Sequence, residues 1–587
     1  MSEGEIEMQR CSDEPFDRGL TSRRLSRRHF VLSTAVAAGT ALLAACGGSS
    51  APATTSTSGT TTQSTSAQVP PTQSASSAGA TPAGTSAAAG TPAATVAAGR
   101  AGGTKTYRVG TPSAITELDP ATTTTEVNNA PQEALFDYMV RYTYDPPLGN
   151  TILPDLADKW EITNNAQQFV FHIHQGVQFH DNNGELTATD IVWNLQRMQN
   201  PKTGSSAAPD FKGATFTAPD QYTVQVNYDH PYPSFLPATL AYTSAKIICP
   251  KAYQALGDKW ITHPIGSGPF TWGTYQAGTR LTLPKNPSYW GTQPKIDAID
   301  FHMAVDDRTA ALAISKGEID AFYVADPDIA ASAASNPQPN VRFMKAQFGI
   351  SPFQTWFNMR RKPLDDVRVR QALRYAIDQN AIAKDLFGGL AQPVDGYLPA
   401  FMFGYTADVQ KYPYNPDKAR QLLKDANVSP DWAPEMISQS ILVISKKITE
   451  AVASYWTDIG VKIKNSSLEQ GVIVQRGNAR DFDMYATYVT RIDPSQMTAR
   501  FWRSDGSGNF SGYTAADSLI DQIGSESDDT KRKALYAQLQ QKMGIDSPAA
   551  WIVAVSEHLL LNDRVVGEQG AGWLERFNWF EVDVPAE

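Results

Sequence analysis

Cysteine is nearly absent. The 587-residue chain holds three, at 11, 46 and 249. Two of these fall in the leading segment discussed below, so the folded part keeps only Cys249 and no disulfide can staple it. Histidine is scarce too, at eight residues. No apolar run beyond residue 46 reaches the roughly 20 residues of a spanning helix. The formal net charge of −10 argues against a nucleic-acid partner. From Gly47 to Gly103 there is no aromatic residue, and Arg100 is the only charge. Such a stretch cannot bury enough apolar area to offset its ordering entropy. It reads as a disordered tether with an r.m.s. span of roughly 40 Å.

What precedes the tether is an address. Arg18, Arg23, Arg24, Arg27 and Arg28 make a basic start, and Phe30 to Ala45 is apolar or small throughout. That pattern is a signal peptide. Arg27 and Arg28 followed by an aromatic resemble the twin-arginine export signal. Leu43-Ala44-Ala45-Cys46 resembles the bacterial lipobox, in which Cys46 is lipidated and becomes the new N-terminus. Gly47, Gly48 and Ser49 then give a flexible exit from the bilayer. The expected location is the outer face of the cytoplasmic membrane, held by a lipid anchor.

The remaining 480 or so residues are too many for one core, so two or three lobes are expected. Aromatics are plentiful, with 12 Trp and 22 Tyr. Thr106–Gly110 reads as an opening strand, and Gln132–Arg141 has helical spacing. Phe169 to Phe179 alternates about Gly176 like a hairpin. Thr189 or Asp190 is expected to cap a helix running through Met198. Strands are expected at Arg280–Pro284, 319–323 and 482–489, and helices at Thr309–Lys316 and 529–543. Asp365 to Phe387 reads as one long helix stopped by Gly388-Gly389. Asn415-Pro416 reads as an N-cap with proline at the first helical position. The mixture without strict alternation is α/β or α+β.

Several segments, in order, resemble the peptide/nickel-type (family 5) substrate-binding proteins of ABC importers. They are Leu118-Asp119-Pro120-Ala121, Pro154 to Glu161, Phe169 to Asp181 with Thr187-Ala188-Thr189-Asp190, Gly266-Ser267-Gly268-Pro269-Phe270, and Asn286 to Trp290. Phe357-Asn358, Asp365 to Leu373, Asn509 to Tyr513 and Lys531 to Tyr536 complete the set, which spans about 110 to 587. The resemblance implies a two-lobed periplasmic-binding-protein-like fold with a hinge. Lobe I would use 104–153, 265–350 and 555–587, lobe II 351–554, and an extra subdomain of lobe I 154–264. Residues 1–45 would be the signal and 46–103 the lipidated tether. It implies a small solute, an oligopeptide or oligosaccharide, enclosed between lobes and delivered to a permease and its ATPase subunits. No cofactor and no catalytic residue are implied.

Family positions place Ser113, Gln354, Trp356, Tyr397, Tyr488, Arg491, Asp493, Asn509 and Tyr513 around the ligand. One departure concerns its charge. Dipeptide and oligopeptide binders of the family hold the ligand's ammonium with an acid just before an Asp-Pro step. Here Asp493-Pro494 follows Val489-Thr490-Arg491-Ile492, with no acid and one arginine. Where dipeptide binders hold the carboxylate with arginine, this sequence has uncharged Gln439 or its neighbours. A buried ammonium needs a charged partner, so a free dipeptide is disfavoured. A longer peptide, a neutral sugar or an anion facing Arg491 is favoured.

Other chemistries are weak. Gly266-Ser267-Gly268-Pro269 lacks the Lys-Ser/Thr of a phosphate loop. His172 and His174 share one strand face and, with His180, suggest a metal site, but no further ligands complete a shell. Asp365-Asp366 reads as helix capping rather than as a catalytic pair. There is no Gly-x-Ser-x-Gly nucleophile. An exported metal-dependent hydrolase and a ligand-sensing partner of a membrane receptor are the alternatives.

Overall fold

The computed structural model describes residues 103–587 apart from 124, 143–150, 206, 242–244, 346–350, 441–442, 490, 492, 556–557 and 569–576. The readings at Arg27, Arg28, Cys46 and the tether lie outside these residues.

Two mixed sheets organise the chain. The first has seven strands in the order Val341–Met344, His558–Asn562, Ala321–Val324, Thr106–Gly110, Ala298–His302, Arg280–Pro284 and Thr274–Gln276. The Thr106 strand runs parallel to both its neighbours, and the remaining pairs are antiparallel. The second has six, in the order Gln392–Pro393, Ala549–Val555, Ser351–Phe357, Met484–Tyr488, Glu435–Gln439 and Lys464–Leu468. Its last three strands are mutually parallel. A separate antiparallel four-stranded sheet, formed within residues 157–228, packs into the core of the first half. The class is mixed α/β.

The period of two in each strand sorts the core. Along Ser351–Phe357, Phe353 and Phe357 join one apolar cluster and Trp356 another, so the six-stranded sheet is buried on both faces. Ala549–Val555 is buried throughout, as its unbroken apolar sequence requires. In Gln168–Ile173 only Phe169, Phe171 and Ile173 are buried, and the sheet there has one wet face.

Helix starts follow short acids and amides. Asp306, Asp326, Asp366, Asp378, Asn415, Asp493 and Asp528 each accept a hydrogen bond from a backbone N–H of the following turn. These caps explain one departure from the sequence reading. The expected 365–387 helix is two, Val367–Tyr375 and Gln379–Asp385. Asp378 takes the Ala381 N–H at 2.9 Å and starts a new helix where propensity alone would continue the old one. Thr187, not Thr189 or Asp190, caps Ala188–Gln199, and Asp190 closes the reciprocal capping box. The 132–141 segment is the end of a helix, Glu126–Leu135, followed by the strand Val140–Tyr142.

The Phe169–Phe179 hairpin does not form. The Gln168 strand pairs instead with Ala157–Thr163 and Thr223–Tyr228, while Val177 and Phe179 bond to Leu186 and Gly184. The strand makes its hairpin with the segment before it rather than the one after, and a distant strand takes its other edge; alternation cannot name a strand's partner.

Gly266 and Gly268 press against the backbone of Leu135, where a Cβ would come within 2.1 and 2.6 Å. Their role is close approach of two chains. Cys249 is buried, and burial raises its thiol pKa. The ends of the described chain pair with each other. Thr104 N–H donates to the Glu587 carbonyl at 3.1 Å and Glu587 N–H to that of Thr104 at 3.2 Å. Arg108 holds the Glu587 carboxylate at 2.8 Å.

Candidate ligand cleft

Strand register locates the cleft. In the first sheet Gly110 aligns with His302, Val324 with His558, and Met344 with Leu559. The carboxyl ends of the parallel strands therefore share an edge with the end of the Val341 strand and the start of the His558 strand. In the second sheet Phe353 aligns with Tyr488, Ser351 with Val555, and Gln439 with Leu468. Again the parallel strands end on one edge, beside the start of the Ser351 strand and the end of the Ala549 strand. The chain crosses between the sheets twice, from Met344 to Ser351 and from Val555 to His558. Both crossings join these two edges. Ligands of open α/β sheets sit beyond strand carboxyl ends, so these two edges are the candidate walls of a cleft.

Some of the residues expected at the ligand lie on these edges. Ser113 is exposed, three residues past the end of the Thr106 strand, and its carbonyl accepts from Thr111 Oγ1 at 2.9 Å. Gln354 is buried near the start of the Ser351 strand. Half-buried Tyr488 ends its strand, and Gln439, also half-buried, ends the neighbouring one. Arg491 follows, then Asp493, which caps Pro494–Trp502 by accepting from Ser495 N–H at 2.9 Å. Burial raises the Asp493 carboxyl pKa, against hydrogen bonds from Ser495 and the charge of Arg532.

Others are spent on packing. Trp356 is fully buried and touches Tyr485, Phe501, Trp502 and Phe510. Buried Tyr397 shares a hydrogen bond with Thr498 Oγ1 at 3.2 Å. Asn509 donates to the carbonyls of Arg503 and Tyr513 and accepts from Ser511 and Gly512. The Tyr513 hydroxyl donates to Asp546. Asp546 precedes the Ala549 strand, so Asn509 and Tyr513 sit by the sheet edge away from the crossings. Loop closure accounts for their side chains.

The sequence reading missed the residues that reach across. Gln496 Nε2 donates to the Ala238 carbonyl at 2.5 Å, and Ser527 Oγ to Asn165 Oδ1 at 2.6 Å. Asp210, in the turn Ala208–Phe211, is pushed up to about 7. Burial is the main cause, Arg491 and Arg500 oppose it, and Asp493 adds to it. Tyr228 and Tyr232 are the tyrosines whose hydroxyls feel this carboxylate. Nothing in Ala208-Pro209-Asp210-Phe211 marks it; the neighbours that matter are more than 280 residues away in the chain.

The sign of this shift fixes a pH dependence of stability. A carboxyl whose pKa is higher folded than unfolded takes up a proton on folding. Ionised Asp210 therefore costs stability above about pH 7, and acid relieves that cost down to the ordinary carboxylate range near 4. Between about pH 8 and pH 6 this group is expected to add up to about 1.4 kcal/mol of stability. Thermal melting across that range checks it. Asp210→Asn should flatten the profile and melt higher at the alkaline end.

Two of the three candidate histidines are engaged in packing and hydrogen bonding. His180 is buried, its Nε2 shares a hydrogen bond with the Gly268 carbonyl at 2.9 Å, and burial lowers its pKa. His174 packs on Trp290 at 4.7 Å. Among the described residues no group of three or more His, Cys, Asp or Glu side chains is arranged to hold a metal ion.

Two sheets joined edge to edge by two crossings, with a cleft at the join, define the class of hinged, two-lobed binding proteins. Residues 151–510 match the family model for bacterial extracellular solute-binding proteins, family 5. This is more than half of the chain, which belongs to that family. The dipeptide-binding protein of Escherichia coli K12 is 29% identical over 467 residues, covering 74% of this chain and 85% of that protein. The glutathione-binding protein GsiB of Pectobacterium atrosepticum is 26% identical over 463 residues, covering 76% and 88%. Among solved structures, the periplasmic binding protein DppA of Helicobacter pylori, in complex with peptide STSA, superposes with a TM-score of 0.71. It is 21% identical, and the match covers 82% of this chain and 99% of that one.

Proposed function

We propose that this protein is the lipid-anchored receptor of an ABC importer, which encloses a peptide-like solute between its lobes and hands it to a membrane permease served by ATPase subunits. Lobe I comprises 104–153, 265–350 and 555–587, lobe II comprises 351–554, and 154–264 form the added subdomain. The protein binds and releases without chemistry on its ligand. The observation that carries this reading is the shared edge: both sheets end their parallel strands on the same two crossings, so a bend there opens and shuts the cleft.

The cleft's charges shape the ligand. The stretch before Asp493-Pro494 presents Arg491 where peptide binders of the family have an acid, while Asp493 caps a helix and Asp210 feels Arg491 and Arg500. A free ammonium there is offered no acid at the family's position. The reading therefore favours a longer peptide held along its backbone over a free dipeptide, with a neutral sugar or an anion as the other candidates.

Thermal melting against dipeptides, penta- to nonapeptides, oligosaccharides and metal chelates tests it. A ligand at 100 times its Kd adds about 2.7 kcal/mol, which raises Tm by several degrees in a domain of this size. Oligopeptides should shift Tm where dipeptides do not. If no class shifts Tm and none closes the protein in scattering, the receptor reading fails.

A further inference from the structure

The helix Val443–Asp458 begins awkwardly. It has no acid in its first turn, and Lys446 and Lys447 lie within its first five residues. The start of a helix carries partial positive charge and favours anions, so lysines there weaken the helix unless something else uses them. Something else does. Lys447 Nζ hydrogen-bonds Asp328 and lies 3.7 Å from Asp326. Both acids belong to the other half of the molecule, at the start of the helix Pro327–Ser335, where Asp326 is the N-cap. Two helix starts from opposite lobes thus meet with an acid pair and one lysine between them.

The surrounding contacts are also cross-lobe. Leu390 packs against both the lobe II core and the cluster around Ile314, Ala330 and Leu560. Gly388, at φ +56°, lies so close that a Cβ would come within 2.9 Å of the Ala331 methyl. None of these residues is a ligand candidate. Lys447 and Asp326 are about one quarter exposed and Asp328 is 71% exposed, which puts the pair at the rim. Elsewhere across the cleft, Gln496 to Ala238 and Ser527 to Asn165 are neutral hydrogen bonds, and the attraction of Asp210 to Arg491 and Arg500 is largely buried. The Lys447 contact combines an attraction that acts before contact with enough exposure to weaken with salt.

We propose that Lys447, Asp326 and Asp328 form a clasp that shuts the cleft without ligand, so that the empty protein is partly closed and salt sets how much. The proposal rests on the hinge reading above but on no ligand. A ligand then meets a protein part of whose closing cost has already been met, and its apparent affinity scales with that closed fraction. Partly exposed ion pairs contribute about 1 kcal/mol or less each, which corresponds to a change of up to about fivefold in the closed fraction.

Pulsed electron paramagnetic resonance reads the lobe distance directly. Spin labels at Glu318→Cys and Lys424→Cys, both exposed positions, report on the chain carrying Cys11→Ser and Cys46→Ala; buried Cys249 stays unlabelled. Without ligand, a short-distance population is expected at about 20 mM salt and a two- to fivefold smaller one at about 500 mM. Lys447→Glu should open the protein at low salt, Lys447→Met should do so partly, and Lys447→Glu with Asp328→Lys should restore the short distance. An unchanged melting temperature in these rim variants separates opening from misfolding. Distances that ignore salt and Lys447→Glu alike overturn the clasp. So does opening that the swapped pair fails to reverse, and so does an empty protein open at every salt. The receptor reading survives any of these, because it is judged by ligand.

Discussion

Replacing Cys46 with alanine is expected to move the protein from the membrane fraction to the soluble fraction, changing its partition by about 100-fold or more. Each buried CH₂ of an acyl chain contributes about 0.8 kcal/mol, and stable anchoring takes two such chains. Beyond the Cys46 segment no apolar run is long enough to compensate, and among the described residues no helix is long and apolar enough to cross a membrane. Fractionation with and without the substitution measures the effect. Ligand binding by the released protein should match that of the parent, because Cys46 lies well before residues 151–510, which match the family model. Retention of the variant on membranes would place the anchor elsewhere.

The largest loss of stability is expected from Arg370→Met. Arg370 is buried in the helix Val367–Tyr375. Its Nε donates to the carbonyls of Asp546 and Ser547, each at 3.1 Å; Nη1 donates to those of Leu364 at 2.8 Å and Asp365 at 3.0 Å; Nη2 donates to that of Asp546 at 2.7 Å. One side chain thus satisfies four backbone acceptors in two segments that have no ladder to join them. Arg374, one turn on, donates to the carbonyls of Gly544 and Asp395 and stacks on Tyr412 and Trp551. Burial pulls its pKa down to about 10, which leaves it charged at neutral pH. Methionine at 370 keeps the apolar stem and strands the carbonyls, at about 1–3 kcal/mol for each left unmatched and less than additively. A loss of about 4 kcal/mol corresponds to a fall in Tm of roughly 4 °C for a folded part of about 480 residues. Lysine should recover little, because three donors on a point charge cannot serve a planar fork. A melt within about 2 °C of the parent would show that the arginine contributes only packing.

These two arginines show where sequence reading stops. The segment Val367 to Arg374 carries charges that by pattern belong on a solvated face, yet Arg370 and Arg374 point inward. Local rules read well wherever a few neighbouring residues decide the outcome. The opening strand, the Asn415-Pro416 cap and the Arg280–Pro284 strand follow from two to five residues each. Ser113, Tyr488, Arg491 and Asp493 fall at or just past strand ends, because strand ends and an Asp-Pro cap are local signals. Asn509 and Tyr513, placed at the ligand by family position, have polar groups in a tight turn, where each finds a partner at once. Asp210 and Lys447 were illegible. Their partners lie across the cleft, and only tertiary structure brings them within reach.

The pairing of Thr104 with Glu587 has a consequence for mooring by the anchor proposed at Cys46. Thr104 adjoins the amino end of the Thr106 strand, and the strand's carboxyl end faces the proposed cleft. A line attached ahead of Thr104 therefore pulls at the stern, while cargo is taken and unloaded at the bow. On the proposed reading the bow must reach a channel in the same membrane, so the vessel must be free to swing round on its line.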